Sequence, residues 1–198
     1  MTRDIHDEIR GGLQGDAVGF LSQNMVLMGL SGHDPVANSL VRGFEFAEAY
    51  RTRSGGAVFK PVRDDLSGAE APVFFYYMPW SVGAEISMVL DPREGPDLMF
   101  TATLTGCAVG YERAADGAVR LSHYDLCRPG QERGVQTSGA MTRRDGFFAD
   151  EDGVALIYGV RTYRHWAIYA QRMSFVQTIT QPGGKTRLEA EIREVRAF

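Results

Sequence analysis

The sequence predicts an α+β fold, a mixed and mostly antiparallel β-sheet sandwich with flanking helices. Three observations lead there. Helical patterning is confined to the first quarter of the chain, and after Ser54-Gly55-Gly56 short runs rich in β-branched and aromatic residues alternate with turn signals. Two such pairs of runs are joined by Ala115-Asp116-Gly117 and by Pro182-Gly183-Gly184, which are hairpin sequences. Strands so joined bury one face each, and the helices must cover what the sheets leave open.

Taken in order, Ile5, Ile9 and Leu13 fall four apart, with acids in the first turn and Gly15 beyond. That spacing predicts a short amphipathic helix. A second helix is predicted over Asp34 to Tyr50: Asp34 suits the N-cap, Pro35 the first helical position, and Val36, Leu40, Phe44, Ala47 and Tyr50 form one apolar stripe. Strands are predicted at Ala57 to Val62, Val73 to Met78, Leu98 to Thr103, Ala108 to Arg113, Val119 to Tyr124, Val154 to Arg161, His165 to Ala170, Ser174 to Thr180 and Arg187 to Val195. No internal repeat or low-complexity tract interrupts them.

The chain's 198 residues, 44% apolar and 23% charged, fit one domain spanning 1–198. A net charge of −4 and a pI near 5.6 argue against a nucleic-acid groove or an anionic membrane surface as partner. Arg161, Tyr163, Arg164, His165 and Trp166 make a basic aromatic cluster, which reads as a strand pair with a solvated turn. The longest weakly charged stretch, Gly11 to His33, is broken by Gln14, Asp16, Gln23 and Asn24, so no membrane span is expected. Met1 to Leu13 lacks the apolar core of a signal peptide. If the protein leaves its cell, it goes by a route that does not use such a peptide.

Two cysteines do not make a disulfide framework, and with no further clustered ligands they do not make a metal site. No metal or cofactor is expected. Each thiol is judged alone. Cys107 follows Gly106 between two predicted strands, and His123 lies sixteen residues on, in the returning strand. If Ala108 to Arg113 pairs with Val119 to Tyr124 about the Asp116-Gly117 turn, both residues sit at the open end of one ladder. A thiol with a pKa near 8.5 is a few per cent ionised at neutral pH, and an adjacent imidazole raises that fraction. Gly106 would let substrate approach, and the Cys107 N–H would serve an oxyanion. Spacing alone also suits a small buried cysteine and a packed histidine.

Leu104-Thr105-Gly106-Cys107 resembles the Leu-Ser-Gly-Cys motif of the glutamine deamidase toxins, the family of Burkholderia lethal factor and the catalytic domain of cytotoxic necrotizing factor. A histidine follows on a neighbouring strand there, as His123 does here. Met78-Pro79-Trp80 is similar to the Leu-Pro-Trp segment preceding the motif, and Thr101 matches an active-site threonine six residues before the cysteine. The likeness covers Val73 to Asp125, loosely the N-terminus, and the last third in strand pattern only. Thr105 departs from the family's serine by one hydroxyl-for-hydroxyl change.

The resemblance implies a cysteine-dependent hydrolase with Cys107 as nucleophile, His123 as base and Thr101 in the site. Its substrate would be a glutamine of a host or competitor protein, and the resemblance further implies a monomer made in a bacterial cytoplasm and delivered to a target cell by a signal-peptide-independent route. In a strand, Thr101, Thr103 and Thr105 would share a site-facing side while Ala102 and Leu104 face the core. Trp80 would wall the pocket or belong to the core. Cys127 matches nothing in the motif and reads as a structural or loop thiol, and His6 and His33 receive no role. Two alternatives stay open: a cysteine hydrolase or transamidase acting on another amide, and a binding domain that keeps the fold without turnover.

Overall fold

The computed structural model describes residues 11–24, 27–28, 41–46, 50–52, 58–61, 73–79, 85–104, 107–124, 139–141, 153–180 and 186–198. Among them, two short helices accompany two sheets. The larger sheet has nine strands, from edge to edge β1 (Leu27–Met28), β4 (Val58–Pro61), β2 (Val41–Phe46), β5 (Val73–Met78), β7 (Leu98–Thr101), β11 (Gly153–Thr162), β12 (His165–Thr180), β13 (Thr186–Ala197) and β3 (Tyr50–Thr52). It is mixed, with parallel pairing at β1–β4, β5–β7 and β13–β3 and antiparallel pairing elsewhere. The smaller sheet is wholly antiparallel, in the order β10 (Gly139–Met141), β8 (Ala108–Arg113), β9 (Val119–Tyr124) and β6 (Glu85–Leu90). No helix among the described residues is long and apolar enough to cross a membrane.

The strands at Val73–Met78, Ala108–Arg113 and Val119–Tyr124 fall where the alternation placed them. The β8–β9 hairpin closes as its turn sequence requires: Gly117 has φ +88°, its N–H donates to the Ala114 carbonyl at 3.1 Å, and Asp116 accepts from the Ala118 N–H at 3.1 Å. β12 and β13 also pair as a hairpin, Thr180 opposite Thr186, although Pro182-Gly183-Gly184 itself lies outside the described residues.

The helix expected over Asp34 to Tyr50 is corrected. Residues 41–46 are β2, and Tyr50 opens β3; residues 34–40 and 47–49 lie outside the described residues. The physical reason is legible afterwards. Gly43 in a helix interior costs about 1 kcal/mol relative to alanine, and Arg42, Phe44 and Phe46 recur at period two as well as the stripe recurs at period four. Pairing with β4 on one side and β5 on the other then decides for strand.

The described part of the first expected helix is residues 11–15, α1, with Leu13 buried; residues 1–10 lie outside. A helix that the patterning did not predict follows at once, α2 (Ala17–Gln23), capped by Asp16, whose carboxylate accepts from the Gly19 N–H at 3.0 Å. The two strands expected at His165 to Ala170 and Ser174 to Thr180 are one strand of 16 residues. Its polar centre is tolerated because Gln171, wholly buried, accepts from the Tyr158 hydroxyl at 2.7 Å and donates to the Leu21 and Asn24 carbonyls at the end of α2.

Two cores result. One lies on the helix side of the large sheet and includes Leu13, Leu21, Phe75, Phe100, Leu156, Tyr158 and Met173. The other joins the sheets, combining Met99, Leu104, Ala155, Ile157, Trp166, Ile168 and Ala170 of the large sheet with Met88, Leu90, Val109, Val119 and Leu121 of the small one. β6 follows period two, with Met88 and Leu90 buried and Glu85, Ser87 and Val89 exposed, so its signal was present in Glu85-Ile86-Ser87-Met88-Val89-Leu90. The tips of both hairpins meet: a Cβ on Gly117 would lie 3.1 Å from the Arg164 carbonyl. The open end of the β8–β9 hairpin lies away from that contact, where His123 meets Pro79 at the end of β5.

Candidate functional site

His123 belongs to that open end. It stands opposite Val109, as Leu121 stands opposite Tyr111 and Val119 opposite Arg113. Directly opposed residues share a face, and Val109, Leu121 and Val119 all line the inter-sheet core, so the His123 ring, 1% exposed, enters the same layer. Cys107 lies two residues before Val109 and packs against that core while half-buried. The two are thus diagonal neighbours on one inward face. In a regular antiparallel pair such positions are separated by roughly 7–8 Å along the backbone, less at the side chains.

The ring is held from the other sheet. His123 Nδ1 donates to the Pro79 carbonyl oxygen at 3.0 Å. A carbonyl only accepts, so this bond fixes the proton of the neutral ring on Nδ1 and makes Nε2 the basic nitrogen. Pro79 is positioned by the end of β5, where Met78 pairs with Thr101 and the Ala102 N–H donates to the Met78 carbonyl at 2.8 Å. The Met78-Pro79 segment therefore touches both Thr101 and His123, and it joins two of the three candidate residues through one stretch of backbone.

Thr101 has a defined task in the sheet. The β7–β11 ladder pairs Phe100 with Tyr158, but the next bridge is Leu104 with Ala155, so β7 carries one extra residue. At this irregularity the Ile157 N–H, which would otherwise lack a backbone acceptor, donates to Thr101 Oγ1 at 3.1 Å. Thr101 is wholly buried. The alternation expected for this segment is corrected: Ala102 lies in the helix-side core and Leu104 in the inter-sheet core, because the extra residue turns the chain over. Leu104 then leads into the crossover that delivers Cys107 to the small sheet. Thr105, Gly106, Trp80 and Cys127 lie outside the described residues.

A second pair of hydroxyls occupies the outer face of the small sheet, where Ser87 and Ser122 Oγ atoms are 2.6 Å apart and Ser122 is buried. They point away from the layer that holds His123. At the far end, Arg161 and Trp166 of the basic aromatic cluster make structural contacts, while Tyr163, Arg164 and His165 are exposed at the β11–β12 turn. Arg161 pairs with Asp97 at 2.7 Å, donates to the Glu94 and Gly95 carbonyls, and lies over the Trp166 ring, whose Nε1 donates to the Asp91 carbonyl at 2.9 Å. These contacts pin the 91–97 loop between the sheets. Tyr76, edge-on to Trp166, has its phenol pushed above its usual pKa by burial, against the opposing pull of Arg161.

The arrangement at the open end can support nucleophilic chemistry: a half-buried thiol, an imidazole with its basic nitrogen set by a backbone carbonyl, and a backbone N–H at Cys107 for a developing oxyanion. The Pro79 carbonyl is the part sequence reasoning missed, since every residue has a carbonyl and only the fold selects one. The chain matches no protein-family model, and no curated protein is significantly similar to it.

Proposed function

We propose that the protein is a cysteine-dependent hydrolase acting on a side-chain carboxamide, a protein glutamine deamidase of the toxin or effector kind, built as an α+β sandwich. The observation that supports this best is the His123 ring, buried on the inward face beside Cys107 and oriented through Nδ1–H to Pro79. A packed, buried histidine also needs a partner for its ring N–H, so the bond by itself suits both readings. A general base needs it further, because its tautomer decides which nitrogen takes the proton.

The Cys107 thiolate attacks the carboxamide carbon of a glutamine, and the carbonyl oxygen becomes an oxyanion facing the Cys107 N–H. The C–N bond then breaks as imidazolium His123 gives its Nε2 proton to the leaving nitrogen, and ammonia departs. Water, losing a proton to Nε2, adds to the thioester. The C–S bond breaks, the thiolate returns, and the glutamine has become a glutamate. A target gains one negative charge at a contact-making amide, enough to disable a switch without unfolding it. Thr101, wholly buried and accepting from the Ile157 N–H, serves the site by holding the end of β7, next to the Met78-Pro79 segment that orients His123.

Incubation with lysate proteins, followed by peptide mass spectrometry, tests the reading. The expected result is a +1 Da conversion at particular glutamines, lost in Cys107→Ala and His123→Ala and kept in Cys127→Ser. Folded wild-type protein that converts no glutamine, or equal loss in all three variants, overturns it.

A further inference from the structure

We infer that the far end of the molecule carries a second binding site, a cavity that takes the phosphate group of a small phosphorylated molecule and sets Tyr163 against the ring attached to it. The cavity has a volume of about 370 Å³ and is lined by Gln14 of α1, Arg93 and Asp97 of the 91–97 loop, and Arg161, Thr162 and Tyr163 at the end of β11 and its turn. That volume falls within the range of small-molecule sites. Every one of the six side chains carries a polar group, so the cavity suits a polar ligand.

The loop side of the cavity is preformed. The Arg161 N–H donates to the Asp97 carbonyl at 2.8 Å, its guanidinium donates to the Glu94 and Gly95 carbonyls and to Asp97 Oδ1, and the Arg93 N–H donates to Asp91 Oδ1 at 2.7 Å. Walls already held in place do not have to be ordered when a ligand arrives.

Charge decides the kind of ligand. Arg161 and Asp97 neutralise one another, and the bonds just named use four of the five N–H groups of the Arg161 guanidinium, leaving one on Nη1. Arg93 is different: it is exposed, and among the described residues its guanidinium makes no ion pair or hydrogen bond. The carboxylates of Asp91 and Glu94, on the same loop, are not part of the lining. Two arginines against one carboxylate leave the cavity positive, with the hydroxyls of Thr162 and Tyr163 and the amide of Gln14 as further donors. A phosphate offers the complement, several acceptor oxygens under a negative charge, and one guanidinium can bind two of those oxygens side by side.

Tyr163 supplies the second, independent observation. Its backbone has φ 58°, a region that glycine enters freely and a bulky residue rarely. Its side chain is 94% exposed, so packing within the chain does not offset that conformation. Strained positions of this kind collect at ligand sites. A tyrosine at the rim of a cationic cavity presents a flat apolar face beside the phosphate position, and a ring borne by the phosphate stacks on it.

The experiment is calorimetric titration of the intact protein with phenyl phosphate and with inorganic phosphate near neutral pH, with thermal melting of every variant as the check on folding. Wild type should bind phenyl phosphate at one site with a Kd of about 1 mM or tighter, and inorganic phosphate about tenfold more weakly. Arg93→Met should weaken both about tenfold, while Arg93→Lys, which keeps the charge and loses the fork, should recover part of the loss. Tyr163→Gly should bring phenyl phosphate down to the level of inorganic phosphate, leave inorganic phosphate unchanged and melt no lower than wild type. That combination separates a ring kept for a ligand from one kept for the fold. Wild type that shows no saturable binding of phenyl phosphate overturns the inference. So does a folded Arg93→Met or Tyr163→Gly that binds phenyl phosphate as wild type does.

Discussion

Replacing Thr101 with valine separates a structural role from a chemical one. Valine matches threonine in shape, so no cavity opens, and the difference between the two is the hydroxyl. What disappears is the Oγ1 acceptor of the Ile157 N–H, a bond of 3.1 Å between groups that are wholly buried. Water does not replace it there. A buried donor left without a partner costs about 1–3 kcal/mol; at about 2 kcal/mol the unfolding constant changes roughly 30-fold. For a chain of this size each kcal/mol moves Tm by about 2–4 °C, so Thr101→Val should melt about 4–8 °C lower. Urea titration should show a lower midpoint with an unchanged slope. Thr101→Ser keeps the oxygen and loses a methyl group, and should lose only about 1 kcal/mol. A valine variant as stable as wild type, or a serine variant less stable than the valine one, would refute the assignment of Thr101 as the patch in the β7–β11 ladder. Deamidation is a separate readout: at a temperature where Thr101→Val is fully folded, turnover should still fall about 10- to 1000-fold if the loosened end of β7 lets the Met78-Pro79 segment that orients His123 shift.

Gly95 has φ +80°, and a Cβ there would lie 1.9 Å from the Tyr76 hydroxyl, so Gly95→Ala should destabilise by about 2 kcal/mol or more and is checked by thermal melting. Tyr163 has φ 58° and is 94% exposed at the β11–β12 turn; Tyr163→Gly should stabilise by about 0.5–1 kcal/mol, and a fall in Tm would show that the ring contributes contacts this exposure hides. The partly buried Tyr76 phenol titrates above its unfolded value, so its share of stability is full below about pH 10 and is lost as pH rises through the folded pKa. Tyr76→Phe should flatten the alkaline loss of stability in urea titrations between about pH 9 and 11, and an unchanged slope would exclude Tyr76 as its source.

The sequence by itself determined the elements whose signals are local. Gly117 after Asp116 dictated the β8–β9 turn, and the alternation on either side dictated its register, which placed Cys107 and His123 at one open end before any coordinates. That the described residues are mostly β-sheet, in one mixed and one antiparallel sheet, followed from the same punctuation. Three outcomes were decided by partners distant in the chain. Residues 41–46 carry both a helical stripe and a strand alternation, and pairing with β4 and β5 chose between them. Gln171 interrupts an apolar strand in sequence, yet Tyr158 and the end of α2 satisfy it, and one long strand forms. In the site, a motif can name a cysteine and a histidine, but only tertiary structure selects the Pro79 carbonyl that fixes the ring and turns Thr101 to an unmatched N–H. The reason is physical: backbone groups are common to every residue, and they acquire a role from what the folded chain sets opposite them.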